Sequence, residues 1–477
     1  MAPRYEIVIG LEVHAQLLTK SKLFCGCSTR FGQHPNSNVC PVCLGLPGSL
    51  PVLNETAVRL AVRTALALDC TVHETSVFAR KNYFYPDLPK GYQISQYDEP
   101  LATNGWLDIK GEFGARRIRI LRVHMEEDAG KNVHGVAGDS LVDLNRAGTP
   151  LVEIVSEPDL RSSVEAAAYM RTLRDVLLFL HANDGNLEEG SLRCDANVSI
   201  RPFGQIELGT RCELKNINSF KFVQRAIDSE VARQTALIDS GGRVVQQTRS
   251  FDPDTGSTQA LRSKEEAHDY RYFPEPDLPP LVLSESLISE ERSNVGRLPA
   301  DLRQHYVEKH GLTVQAAATL VQHPEFIAYF EAVCSTFDQP TKVANYFLTE
   351  VLRGASVHGL TATFAVTPPQ VAELLTLVDS GVISGKQAKE VHLALENSER
   401  MPKDIVAERN MRILSDETSL EPICADVIAK SAAQTQQYRS GKKGVLGYLV
   451  GQVMKATAGS ADPKLVNQIL VQILERN

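Results

Sequence analysis

The chain has 477 residues, 43% of them hydrophobic and 23% charged, and a formal net charge of −8. That length and balance predict a globular protein of roughly two to four domains; no apolar run is long enough to cross a bilayer. The acidic balance excludes a chain coated in basic surface, but leaves room for a local basic patch.

The segment Met1-Ala2-Pro3-Arg4 enters a strand pattern almost at once, so no signal peptide is expected. The expectation is a cytoplasmic protein with reduced thiols. The first strand, over Ile7–Leu17, is the stretch around which the chain is organised. Glu12, His14 and Gln16 share one face, and Leu11, Val13, Ala15 and Leu17 share the other. A carboxylate and an imidazole on such a strand need water, partner groups or an ion. From this stretch alone the row reads either as a solvated strand face or as a site.

Four of the nine cysteines, Cys25, Cys27, Cys40 and Cys43, form a C-x-C and a C-x-x-C pair separated by twelve residues. That spacing suits four thiolates around a tetrahedral Zn²⁺, with Gly26, Pro41 and Gly45 at the turns. With all four positions filled by protein, the site would be structural. The alternative is four ordinary core cysteines. A helix is predicted from about Glu55 to Leu68.

Residues 80–97 read as a Pro/Gly-punctuated loop rich in tyrosine, lysine and amide side chains. Tyr83, Tyr85, Tyr92, Gln93 and Ser95 suit the wall of a site for a polar substrate. A Tyr-rich packed loop is the other reading. Residues 106–123 alternate as a strand. His124-Met125-Glu126-Glu127-Asp128 follows, a charge run that is ordinarily a solvated turn but, beside Glu12 and His14, becomes a candidate cation site.

Residues 140–161 read as strand, turn, strand, followed by a helix from Ser163 to about Ala182 with Ser162 or Ser163 as N-cap. Leu192–Ile200 puts Arg193, Asp195, Asn197 and Ser199 on one face. Arg211–Asn218 does the same with Arg211, Glu213 and Lys215. Strands that each bring polar groups to one face describe one wall of an open antiparallel cradle. A helix over about Lys221–Ser240 closes the segment. Residues 262–280 repeat the charged and aromatic style before the Pro cluster at 274–280 marks a boundary.

From about Ser284 helical periodicity takes over, with helices expected at 287–295, 299–309, 314–322, 324–335, 339–352, 368–380 and 386–396. The tail, 406–477, is helical again. Between 430 and 477 it holds seven Lys or Arg against two acids. Arg439, Lys442, Lys443 and Lys455, around a Gly-rich turn, suit phosphate-backbone contacts; a solvated helix pair is the alternative. The fold class expected is α+β. An antiparallel-sheet cradle domain with a zinc knuckle occupies 1–283, a helical domain 284–405, and a small helical tail domain 406–477.

Several longer motifs carry a resemblance. They are Gly10-Leu11-Glu12-Val13-His14, Leu23-Phe24-Cys25-x-Cys27, Val39-Cys40-Pro41-Val42-Cys43-Leu44-Gly45, the run Lys81 to Gln96, His124-Met125-Glu126-Glu127-Asp128, Asp143-x-Asn145-Arg146-x-Gly148-x-Pro150, Arg193-Cys194-Asp195-Ala196-Asn197 and Glu213-x-Lys215-Asn216. In these the chain resembles, end to end, the B-subunit family of bacterial aspartyl/glutamyl-tRNA amidotransferases. The resemblance implies ATP-dependent activation of the side-chain carboxylate of glutamyl-tRNA(Gln) or aspartyl-tRNA(Asn), followed by amidation. Ammonia would come from a separate amidase subunit through a tunnel, and a small third subunit would strap the two into a heterotrimer.

The resemblance also implies site roles. Glu12, His14, Glu126, Glu127, Asp195 and Glu213 become catalytic, with Mg²⁺ held by Glu12, His14, Glu127, Asp195 and Glu213. Lys81 and Lys90 line the ammonia route, and the basic tail holds tRNA. The expected cofactors are ATP, Mg²⁺ and a structural Zn²⁺. There is no G-x-x-x-x-G-K-[ST] loop and no amidase constellation, so the chain is not expected to make its own ammonia. Two rivals remain at this stage: a zinc-knuckle RNA-binding or assembly protein without chemistry, and a free-standing ATP-dependent carboxylate–amine ligase for a small molecule.

Overall fold

The computed structural model describes residues 4–134, 139–263, 270–411, 416–457 and 459–476. Part of the charged stretch at 262–280, namely 264–269, lies outside the described residues. The chain divides into two compact units, Met1–Asp301 and Leu302–Asn477.

The first unit is built on a twelve-stranded sheet. In chain order its main strands are β1 (Tyr5–Gln16), β2 (Phe78–Asn82), β3 (Tyr92–Gln96), β4 (Ala102–Gly111), β5 (Gly114–Glu127), β6 (Pro150–Ser156), β7 (Leu192–Pro202), β8 (Cys212–Ile217), β9 (Gln247–Asp252) and β10 (Ser257–Ser263). Across the sheet the order is β10-β9-β8-β7-β1-β6-β5-β3-β2, and β4 pairs with β5 off that path. β8 and β9 are parallel; the other pairs named are antiparallel.

Among the described residues, four longer helices accompany the sheet: α1 (Glu55–Ala67), α2 (Ser163–Phe179), α3 (Phe220–Asp239) and α4 (Glu285–Asn294). The first three have N-termini fixed by side chains that accept orphan N–H groups: Asn54 from Ala57, Ser162 from Glu165 and Ser219 from Phe222. Leu11, Val13 and Ala15 of β1 join Tyr169, Met170 and Leu173 of α2 and Val223, Ala226 and Ile227 of α3 in one core. The alternation read along β1 therefore holds. One phase is buried under helices, and the phase of Glu12, His14 and Gln16 faces away from them.

Three local expectations change. Residues 80–97 are part strand: β2 and β3 form a hairpin, and the nine residues 83–91 between them are the loop. The Pro and Gly signals at 86–91 hold within that loop, and the residues flanking it pair as strands. Glu126 and Glu127 are the buried end of β5, so these acids lie within the strand rather than behind it. Finally, α4 lies beyond the Pro cluster yet belongs to the first unit. Arg59 of α1 reaches Glu290 at 2.9 Å and Glu291 at 3.2 Å, and Arg63 reaches Glu291 at 2.9 Å. Such nonlocal ion pairs leave no local sequence signal of a boundary past 283.

The second unit is mainly helical. The helix predicted over 339–352 is α-helical at Pro340–Tyr346 and widens to a π-helix at Phe347–Val351. A hairpin, Ala355–His358 with Thr361–Phe364, follows and has no counterpart in the sequence reading. In the tail, Leu420, Cys424, Leu449, Val453, Val466, Ile469 and Leu470 form a separate core.

Candidate active site

Register places the polar groups of the sheet side by side. Opposite His14 lie Glu153 on β6 and Arg193 on β7, and opposite Glu153 lies His124 on β5. His14 Nε2 is 3.5 Å from Glu153 and 3.7 Å from Glu126. His124 Nε2 is 3.2 Å from Glu153 and 3.8 Å from Glu126. Ser95 donates to Glu126 at 3.3 Å. Two imidazoles and two carboxylates thus share one buried cluster.

Burial works against charge on His14, but Glu153, Glu126 and Asp195 overcome it and push its pKa up to about 9. The same balance raises His124. Burial likewise opposes ionisation of Glu153, and the two imidazoles hold it well below the usual carboxylate range.

A second cluster lies one step along the strand. Glu12 is opposite Asp195. Between Cys194 and Ala196 the register of β8 slips, so that Lys215 and Asn216 together face Asp195; Asn216 takes φ 66°. This bulge aims Lys215 at Asp195, with Glu213 at 3.3 Å. Asn197 donates to Glu12 at 2.8 Å and Thr248 to Glu213 at 2.8 Å. Burial disfavours the Lys215 ammonium, but Asp195, Glu213 and Glu12 hold its pKa above the ordinary lysine value. Asp128 closes the row from a third side, with Arg193 at 2.9 Å and Gln16 at 2.8 Å.

Glu127 behaves differently from its neighbour. Its carboxylate pairs with Lys90 and accepts from Ile94 N at 3.0 Å, on the opposite face from Glu126, as alternation requires. Lys81 lies over the Tyr270 ring at 4.8 Å and the Tyr83 ring at 5.8 Å. Its charge is opposed by burial and held by Tyr272, Glu126 and Glu153. The five-residue wall also divides. Tyr83 joins Lys81, and Ser95 joins Glu126. Gln93 donates to Glu127 O at 2.7 Å, and Tyr92 lies under Arg80 at 4.2 Å and near Lys90 at 5.4 Å. Tyr85 makes an edge contact with Tyr83 at 6.0 Å and is half exposed.

The structure therefore groups the five residues expected to hold Mg²⁺ in three places: His14; Glu12, Asp195 and Glu213; and Glu127. One cation-sized cluster among the described residues is His14, Glu126 and Glu153, whose ligand atoms lie within 4.8 Å of one another. Glu153 went unassigned in the sequence reading, although a single carboxylate in the apolar run Leu151–Val155 was a signal. Lys215 and Arg193 stand in sequence motifs that give them no individual role, and His124 and Asp128 stand there only within the 124–128 run offered as a candidate cation site.

The other metal-sized cluster is Cys25, Cys27, Cys40 and Cys43, again within 4.8 Å. Cys40 N donates to Cys43 Sγ at 3.2 Å, a usual partner for a metal thiolate. A hydrogen bond from Cys25 lowers the Cys43 thiol to about 4. This donor set fits Zn²⁺. In the tail, Arg439, Lys442, Lys443 and Lys455 are all exposed. Lys443 lies over Tyr438 at 4.2 Å and pairs with Glu475 at 3.3 Å.

Two family descriptions match this chain: the GatB/GatE catalytic domain over residues 7–289 and the GatB domain over residues 328–474. The chain belongs to the GatB/GatE family. The B subunit of the aspartyl/glutamyl-tRNA(Asn/Gln) amidotransferase of Geotalea uraniireducens is 54% identical over 99% of both chains. Its counterpart in Myxococcus xanthus is 52% identical over 98% of both, and that of Persephonella marina is 50% identical over 99% of this chain and 100% of its own. Each of these relatives is named as the B subunit of an amidotransferase. The catalytic-domain match takes in both sheet-face clusters and the cysteines, and the GatB-domain match takes in the tail lysines.

Proposed function

We propose that the sheet face of the first unit activates and amidates the side-chain carboxylate of glutamyl-tRNA(Gln), aspartyl-tRNA(Asn) or both. The carboxylate oxygen attacks the γ-phosphorus of ATP and ADP leaves. Ammonia then attacks the carboxyl carbon, phosphate leaves, and the nitrogen loses a proton. The observation that carries the reading is the His14, Glu126 and Glu153 triad on the polar face of the sheet, in a chain half-identical to amidotransferase subunits.

Phosphoryl transfer depends on positioning and charge neutralisation more than on covalent catalysis. Bound Mg²⁺ supplies the neutralisation and templates the phosphates. Two carboxylates and an imidazole fit a divalent cation, with carboxylate oxygen the harder and better donor for Mg²⁺ and His14 ligating only when neutral. Glu12, Asp195 and Glu213 offer a second group of oxygens, presently held by Lys215. Arg193 Nε is buried without a hydrogen-bond partner among the described residues, so the guanidinium has a donor to offer a phosphate oxygen. Ser95 and Tyr83 border the same cluster. Lys81 and Lys90 are assigned to the ammonia route. Cys25, Cys27, Cys40 and Cys43 hold a structural zinc. Arg439, Lys442, Lys443 and Lys455 contact the tRNA.

The partners proposed are an amidase subunit and a small linker subunit in a cytoplasmic heterotrimer. No helix of the described residues is long and apolar enough to cross a membrane. The test is ADP release from labelled ATP by the chain with its amidase partner, with and without glutamyl-tRNA(Gln). Release that requires the charged tRNA supports the reading. No release in either case, with tRNA still bound, overturns it in favour of a binding module.

A further inference from the structure

Lys22 is 1% exposed, among the most deeply buried large side chains of the protein. Its ammonium donates to Asn38 O at 2.7 Å and lies 3.4 Å from Leu144 O and 3.6 Å from Cys43 Sγ. None of these acceptors is a carboxylate. Lysine is almost never buried this completely without a counter-charge. The nearest candidate is the cysteine cluster: four thiolates on one Zn²⁺ carry roughly two negative charges in excess.

The same side chain bridges two segments. The spacer between the cysteine pairs is clamped to residues 142–145, a strand end and the turn after it, by five hydrogen bonds. Asn36 N donates to Asp143 Oδ1 (3.1 Å), Asn36 Nδ2 to Val142 O (2.9 Å), Leu144 N to Asn36 Oδ1 (2.8 Å), Asn38 N to Asn145 Oδ1 (2.8 Å) and Asn145 Nδ2 to His34 O (2.6 Å). Lys22 adds the charged link, since Asn38 O and Leu144 O lie one on each side. Farther along, Gly148 N donates to Asp128 O and Asp128 N to Thr149 O, both at 2.8 Å. Gly148, at φ +86°, is where these parts close on one another. A Cβ there would meet Lys22 Cδ at 3.3 Å, Cys43 Cβ at 3.4 Å and Glu127 Oε2 at 3.8 Å.

We propose that Lys22 is the counter-ion of a zinc tetrathiolate centre, and that this charge pairing with the zinc-bound knuckle strengthens its tie to the 144–149 loop. The proposal rests on reading the cysteine cluster as a zinc site. It makes Lys22 a positioning residue: with zinc removed, the ammonium loses its excess negative partner, and its tie to the loop that hydrogen-bonds Asp128 weakens. Zinc then sets the geometry of one side of the acidic cradle without touching substrate.

The test uses the full chain, wild type and Lys22→Met, a variant of similar length without the charge. Metal content comes first. A wild-type chain that neither carries Zn²⁺ nor takes it up overturns the zinc reading and Lys22's role together. With zinc present, Lys22→Met is expected to lose it to a chelator at least tenfold more readily than wild type. The gap in melting temperature between zinc-loaded and stripped protein is expected to shrink, because the stripped variant no longer buries an unpaired ammonium. A packing defect would lower both forms alike and leave the gap unchanged; that result, or unaltered zinc retention, overturns the proposal while the zinc reading stands. Where Lys22→Met does not fold, wild type decides. Lys22 acetylation by an amine-reactive reagent, followed by mass spectrometry, is expected to rise at least tenfold on stripping zinc, and equal labelling in both states overturns the proposal.

Discussion

Glu126 and Glu127 are neighbours in the chain whose carboxylates serve opposite faces of the sheet. Glu126 accepts from Ser95 and lies 3.7 Å from His14, whereas Glu127 pairs with Lys90. Strand alternation separates the two roles that a run of acids in sequence merges.

Their glutamine variants are therefore expected to differ. Glu126→Gln removes one of the three groups within cation reach of one another. It should weaken Mg²⁺ binding and lower tRNA-dependent ADP release by roughly 100-fold or more. Glu127→Gln leaves that triad intact but strands the Lys90 ammonium. Breaking a buried pair from one side costs about 3–5 kcal/mol, so its main effect is a lowered unfolding midpoint. Metal titration and denaturant unfolding of both variants check the split; equal metal affinity in the two would refute it.

Lys215 gives a prediction of opposite sign. It is the cation that now neutralises Asp195 and Glu213 beside Glu12. Replacing it with methionine leaves these carboxylates without their cation, a better trap for a divalent ion. Lys215→Met is expected to bind Mg²⁺ about tenfold more tightly in the absence of ATP, a gain of about 1.4 kcal/mol, while forming ADP more slowly. Calorimetric titration of the nucleotide-free chain reads the first effect; weaker binding by the variant would show that Lys215 does not compete for those oxygens.

Much of this site was legible in the sequence because period-two alternation is local. Glu12 and His14 on β1, and Asp195 and Asn197 on β7, share the face that the alternation predicts. What was not legible depends on register between strands far apart in the chain. Glu153 meets His14 only because β6 pairs with β1, and nothing near residue 153 announces that partner. Lys215 reaches Asp195 only through a bulge, which no spacing rule locates. The five residues 83–95 divide between faces because Tyr92 and Gln93 are adjacent in β3, and adjacent strand residues face apart. The helices of the second unit were read from their periodicity, but the π-turn at Phe347–Val351 and the hairpin after it are tertiary choices.

Away from the site, Glu230 anchors a buried network. Arg233 binds it at 2.6 Å, Gln234 at 2.8 Å and Thr258 at 3.0 Å. Burial opposes its ionisation, but Arg233, Gln234 and Thr258 prevail and lower its pKa below the usual 4.5. The sign follows directly. A carboxyl with a depressed folded pKa contributes stability above its unfolded value, and that contribution is lost as pH falls through the folded value. Glu230→Gln is expected to be less stable than wild type by about 3 kcal/mol at neutral pH, with the difference narrowing below pH 4.5. Urea unfolding at several pH values measures it; a difference constant with pH would mean that packing, rather than charge, is what the substitution removes.

The tail lysines offer a test that separates contact from mere exposure. Each side chain that touches a backbone phosphate releases counterions, which steepens the fall of binding with salt by about 0.7–0.9 in log–log slope. Arg439, Lys442 and Lys455 are exposed, whereas Lys443 is already occupied by Tyr438 and Glu475. Alanine at each of the first three is therefore expected to reduce the slope by nearly one contact and to weaken tRNA binding several-fold. Lys443→Ala is expected to do less, because its ammonium gives up partners to reach a phosphate. ATP affinity should stay constant throughout, since the tail is not part of the sheet-face clusters. Filter binding of tRNA across a salt series gives all four slopes. A slope unchanged in all four variants would remove the tail from the tRNA interface, and an equal loss in all four would mean that the Lys443–Glu475 pair does not hold in solution.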